Sequence, residues 1–174
     1  MKKINFIGRY TAIFLSVLLL GTVITSCKED DKDVVKPKTI TDVIMTNSQF
    51  SILKEIIVAN GLSDAFRTEN ITLFAPDDAA FKNSKITSAM VNALDTTAAR
   101  AFVLKHTLKG TIKYGDLKEG NFLGYIKGDT IKVAKASKTD TTLLLNSEGR
   151  IITKNVNANN GIIQVVDKVL VKVK

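Results

Sequence analysis

Ile71-Thr72-Leu73-Phe74-Ala75-Pro76-Asp77-Asp78-Ala79-Ala80-Phe81 contains a strand that stops and a helix that starts. Its first five residues form a short, nearly unbroken apolar run, the pattern of a strand covered on both faces. Pro76 lacks an N–H and cannot carry a hydrogen-bond ladder onward. Asp77 then offers a carboxylate oxygen to the free N–H groups of the turn at 78–81. Asp77 and Asp78 are adjacent, so at a helix start they point in different directions; they read as caps and not as a cation site.

Working outward, Ser48 is placed to cap a helix running to about Asn60, with Phe50, Leu53, Ile56 and Ile57 at helical spacing. Gly61 supplies the left-handed stop and Leu62 the apolar contact that follows it. Residues 63–66 are ambiguous. Downstream, helices are expected at 87–94 and 97–106, the second capped by Thr96 or Thr97. Six strands are expected at 107–113, 122–126, 130–136, 141–146, 150–157 and 162–173, separated by turn-like stretches such as Lys109-Gly110, Gly128-Asp129 and Asn159-Asn160-Gly161. Helices first and strands later predict an α+β domain rather than a parallel βαβ sheet. In the last strand, two-residue alternation puts Asp167 on the same face as Ile163, Val165, Val169, Val171 and Val173. A carboxylate there must be paired or re-aimed by a bulge.

The 174 residues hold one Cys and one His, which excludes an internal disulfide framework and the usual zinc sites. The formal charge is +8 and it is uneven. Residues 39–99 carry four Lys/Arg against seven Asp/Glu; residues 100–174 carry fourteen against six. A basic half favours anionic partners, or is simply a set of solvated strand faces on which Lys discourages edge pairing.

Cys27 follows a basic start (Lys2, Lys3, Arg9) and an uncharged apolar run over residues 12–24. That run suits a signal peptide and is short for a spanning helix; an uncleaved anchor with an incidental Cys is the alternative. Ile24-Thr25-Ser26-Cys27 resembles the bacterial lipobox. The resemblance implies residues 1–26 as a cleaved leader and Cys27 as an acylated first residue held in membrane lipid. Residues 27–38 are then a tether. Its acidic cluster Glu29-Asp30-Asp31 looks like the signal that sends some Gram-negative lipoproteins to the outer face of the outer membrane, with the periplasmic face as the alternative.

No catalytic constellation is found, and no cofactor or metal site. There is no nucleophile elbow, no phosphate-binding glycine loop, and His106 would have to serve any triad. His106 lies four residues after Phe102 and eight after Ala98, on an apolar helical face, and reads as a buried, hydrogen-bonded structural residue. The candidate ligand-binding residues are Lys113, Tyr114, Lys118, Phe122, Tyr125 and Lys127, in a segment that mixes aromatics, Lys and loop-forming Gly. Phe122 and Tyr125 packing on the core is the alternative. Nucleic acid is not an expected partner of an exported chain.

Three blocks together resemble the fasciclin domain over residues 39–174. They are the Ile71–Phe81 stretch, Val103-Leu104-Lys105-His106-Thr107-Leu108-Lys109-Gly110, and Asn160-Gly161-Ile162-Ile163-Gln164-Val165-Val166-Asp167-Lys168-Val169-Leu170. The resemblance implies a wedge-like β-sheet flanked by a helical layer built mainly from the N-terminal half. Pro76, Asp77, His106, Asn160, Gly161 and Asp167 are its structural motif residues. It implies adhesion or matrix binding rather than catalysis, to a surface protein or glycan. The alternative is glycan capture beside polysaccharide-degrading machinery. The family often has Tyr before the central His; here that residue is Lys105, so the receptor-binding role tied to a Tyr-His pair does not carry over.

Overall fold

A computed structural model describes residues 38–173. The expected leader, Cys27 and the tether through residue 37 lie outside the described residues. Helices α1 (Ile40–Thr46), α2 (Ser51–Ala59) and α3 (Ala65–Thr68) precede β1 (Ile71–Pro76). Helices α4 (Asp78–Asn83), α5 (Ser88–Asn92) and α6 (Thr96–Leu104) follow it. The rest is β2 (Thr107–Lys109), β3 (Gly120–Leu123), β4 (Thr130–Lys135), β5 (Leu143–Leu145), β6 (Gly149–Ala158) and β7 (Gly161–Val166). This is the expected α+β class.

The strands form one seven-stranded sheet in the order β2-β1-β7-β6-β5-β4-β3. All neighbours are antiparallel except β1 and β7, which pair in parallel from Ile71 opposite Gly161 to Pro76 opposite Val166. The two edges come back towards each other. Leu108 bridges Gly124, and the Tyr125 N–H donates to the Thr107 carbonyl at 2.8 Å. The sheet is therefore a wedge close to a barrel, with little free edge between β2 and β3.

Two apolar cores follow from the alternation of β1 and β7. Ile71, Leu73 and Ala75, with Ile163 and Val165, face the helices, where they meet Ile40, Phe50, Ile56, Phe66, Phe81 and Phe102. Phe74 and Val166 point the other way, onto Ile131, Val133, Leu145 and Ile151 of the curled sheet. Every residue of β1 is buried, as a strand covered on both faces requires.

Several boundaries differ from expectation. Helix α1 was not anticipated; Thr39 caps it in a reciprocal box with Asp42. The Thr39 N–H beside Asp42, more than any other group, holds that carboxyl below its ordinary range. Ser48 does not cap α2. Asn47 caps a 3₁₀ turn over Ser48–Phe50, and α2 receives its cap from Asp78. Helix α6 is capped by Asp95, not by Thr96 or Thr97, and ends at Leu104. The strand expected at 107–113 stops at Lys109, because the Thr72 hydroxyl takes over the next backbone groups by donating to Gly110 O and accepting from Ile112 N–H. The strand expected at 122–126 runs over Gly120–Leu123, and the last one stops at Val166 instead of continuing to 173.

Candidate functional site

His106 follows α6 by two residues and is 2% exposed. Its Nδ1 lies 2.9 Å from the Phe102 carbonyl, one helical turn back. Its Nε2 accepts the Leu170 backbone N–H at 3.0 Å. A carbonyl only accepts and an amide N–H only donates, so these partners select the neutral ring with its proton on Nδ1. Burial pushes the imidazole pKa down to about 4, against the weaker opposing pull of the Phe102 carbonyl. With both nitrogens engaged, the ring has none left for proton transfer or metal ligation.

Leu170 belongs to a strap, residues 167–173, that leaves β7 and crosses the seam between the two cores. Val169, Val171 and Val173 pack on the helical core and Leu170 on the other. Side chains hold its backbone: the Val169 N–H donates to Ser84 Oγ at 3.1 Å, and Asn146 Nδ2 donates to the Leu170 carbonyl at 3.3 Å. At its start, the Asp167 N–H donates to the Arg150 carbonyl at 3.0 Å, and Asp167 Oδ1 accepts the Arg150 N–H at 2.6 Å. The carboxylate thus extends the β6–β7 pairing by one step where the ladder ends. A groove of about 550 Å³ runs between α6 and the strap, floored by Ala98, Phe102 and Val171, with Lys105 and Lys172 among its cations.

The six candidate ligand residues do not form one platform. Tyr114 and Phe122 pack against the curled-sheet core, whereas Tyr125 packs against the helical core. The Tyr114 ring face is already covered by Lys154, whose Nζ sits 3.8 Å from the ring centroid. Its backbone N–H donates to Asn155 Oδ1, the same amide that engages buried Gln164. Lys113 and Lys118 are exposed beside it. Tyr125 and Lys127 come together instead in the β3–β4 turn, where a cavity of about 260 Å³ is lined by Lys109, Leu123, Tyr125, Ile126, Lys127 and Asp129. Lys109 Nζ stands 5.7 Å from the Tyr125 ring centroid. Leu123 is 78% exposed. Asp129 Oδ2 is buried without a hydrogen-bond partner among the described residues, and Lys105 Nζ lies 3.8 Å from it. Leu123, Lys109 and Asp129 were not among the candidate ligand residues read from the sequence, and Lys105 was noted only as the residue in place of the family's Tyr. The usable signal was an apolar residue, Leu123, next to a turn where polar residues are the norm.

The remaining motif residues serve the fold. Pro76 ends β1, and Asp77 Oδ1 accepts the Ala80 N–H at 2.7 Å. Asn160 Oδ1 accepts the Ile40 N–H, while its Nδ2 donates to the carbonyls of Phe66 and Glu69, each at 2.9 Å. One amide therefore ties α1, α3 and the start of β7 together. Gly161 has φ of 148°, and a Cβ there would be driven into the Ile71 carbonyl. Among the described residues no group of three His, Cys, Asp or Glu is placed to hold a metal ion. No helix among them is long and apolar enough to cross a membrane.

The fasciclin domain profile matches residues 48–172. The transforming growth factor-beta-induced protein ig-h3 of Sus scrofa is 28% identical over 135 residues, covering 76% of this chain and 19% of that protein. A solved fasciclin domain pair from the insect cell adhesion molecule fasciclin I superposes with a TM-score of 0.61 at 14% identity, covering 78% of this chain and 51% of that one. The chain thus spans about a fifth of the curated relative and half of the solved pair. Neither the family nor the relative indicates an enzymatic class.

Proposed function

The chain belongs to the fasciclin domain family, and from that premise we propose that it is a non-catalytic adhesion module displayed on a bacterial cell surface. The observation that carries this reading is the match of a domain found in cell adhesion proteins to residues 48–172. The engagement of both His106 nitrogens supports it, because the one imidazole is spent on structure. In this reading Cys27 is acylated and held in the outer membrane, and the acidic tether sets the domain at the outer face. The domain then meets a surface protein, matrix or polymer through the groove between α6 and the strap.

The test is removal of residues 39–174 with leader and tether kept. Cells should lose attachment to matrix or to each other relative to cells carrying the intact chain. Unchanged attachment in both assays overturns the reading. Unchanged attachment together with binding on a glycan array assigns the domain to glycan capture instead.

A further inference from the structure

The β3–β4 turn has features that packing does not explain. Leu123 is 78% exposed at its start, and Tyr125 and Ile126 are only partly covered. A turn of this kind is normally polar, since its backbone faces water. The turn is also preformed. The Gly124 N–H donates to the Asp129 carbonyl at 2.8 Å, the Tyr125 N–H to Thr107, and the Asp129 N–H to Ile126 at 3.1 Å. A Cβ at residue 124 would press on the Asp129 carbonyl at 3.1 Å, so the glycine lets the turn close this tightly.

Charge around the turn is predominantly positive. The two cavities that meet at Asp129 are lined by Lys105 and Lys172 on one side and by Lys109 and Lys127 on the other, and Asp129 is the carboxylate lining both. Lys105 already faces Asp129. Other acids of the basic half are engaged elsewhere: Glu119 accepts the Lys135 N–H, Asp140 the Thr142 N–H and Asp167 the Arg150 N–H. Among the described residues Lys109 and Lys127 have no carboxylate within ion-pair distance.

We propose that the β3–β4 turn is a docking tip for an anionic bilayer surface, with Leu123 and Ile126 entering the interface, Tyr125 at headgroup level, and Lys109 and Lys127 against lipid phosphates. Apolar residues beside an aromatic ring and a ring of lysines are the composition that partitions to such an interface. A soluble polyanion would use the lysines but would leave Leu123 in water. An extended peptide would need strand-edge donors, and those of Gly124 and Tyr125 are already spent. The proposal does not depend on acylation of Cys27.

The test uses the full chain carrying Cys27→Ser, with a single cysteine introduced by Leu123→Cys or by Val58→Cys and labelled with a polarity-sensitive fluorophore. Val58 is 57% exposed on α2 and serves as the reference position. With vesicles of phosphatidylcholine and phosphatidylglycerol, the label at 123 should shift to the blue and be quenched by lipid-borne quenchers. The label at 58 should not change, and pure phosphatidylcholine should give neither response. Adding Lys109→Glu and Lys127→Glu should weaken partitioning by about tenfold or more. No shift at 123, an equal shift at both positions, or an equal response to a soluble acidic polysaccharide overturns the proposal.

Discussion

Leu170 gives its backbone N–H to Nε2 of His106 across 64 positions of sequence, at 3.0 Å. The other ring nitrogen reaches back to Phe102, so one imidazole joins the end of α6 to the strap. A neutral imidazole suits the place because it carries a donor and an acceptor at opposite ends of one flat, packable ring.

Acid should loosen this joint. An unfolded His titrates near 6.5, and His106 in the fold near 4. Its folded-state pKa is depressed, so its contribution is complete above pH 6.5 and is lost as pH falls towards about 4. The loss amounts to about 3 kcal/mol. Urea unfolding followed from neutral pH to about pH 4 checks this. His106→Phe keeps the volume and removes the titration. It should be about 2 kcal/mol less stable at neutral pH, because it leaves the Leu170 N–H and the Phe102 carbonyl unpaired. It should also show a shallower decline with acid, and an equal decline in both proteins would assign the acid sensitivity to other groups.

Asn160 makes an equally specific prediction. Asn160→Asp keeps the acceptor for the Ile40 N–H but places a carboxylate against the carbonyls of Phe66 and Glu69. It should therefore destabilise at least as much as Asn160→Ala, each by roughly 2–4 kcal/mol. Gly161→Ala next to it should be worse still, since neither the backbone angle nor the space at the Ile71 carbonyl admits a Cβ. Denaturant midpoints of the three variants give the ranking. An Asn160→Asp protein more stable than Asn160→Ala would count against the hub.

What could be read from the sequence was what acts within a turn or two. The buried run of β1, the Asp77 cap and the stop at Gly61 and Leu62 are local, and the 6→1 hydrogen bond from Leu62 N–H to Ile57 O at 3.0 Å closes α2 as that pattern requires. The apolar face of His106 is also local. Its partner Leu170 is not, and no spacing rule connects them. The alternating Val169, Val171 and Val173 look like a strand because alternate residues pack on the helical core. Yet β1 and β7 end together at Pro76 and Val166, so no ladder partner remains and the strap is held by side chains. Tyr114 and Tyr125 lie eleven positions apart and look like one aromatic patch. The turns between them send each to a different core.

Asp77 and Asp78 are neighbours that cap two different helices. Asp77 serves α4, while Asp78 accepts the Ile52 N–H at 2.9 Å and the Ser51 hydroxyl at 2.6 Å at the start of α2. Asp77→Ala and Asp78→Ala should each cost about 1 kcal/mol. A double-mutant cycle separates them. Asp78→Ala with Ser51→Ala should be less than additive, whereas Asp77→Ala with Ser51→Ala should be nearly additive. Equal coupling in both pairs would mean that the two carboxylates act as one charge and not as two separate caps.

Cys27 tests the anchor apart from the fold. The packing, caps and strap contacts described above all lie within residues 38–173, and none involves a thiol. Cys27→Ser should therefore leave the thermal unfolding of the domain unchanged. In cells it should move the protein out of the membrane fraction, because acyl chains rather than protein contacts would hold it there. The full chain and the variant should then separate by fractionation and by mass, the full chain carrying the added lipid. A variant that stays in the membrane with its leader attached means that the apolar run at 12–24 is itself the anchor. A variant that unfolds means that Cys27 is part of the domain's stability.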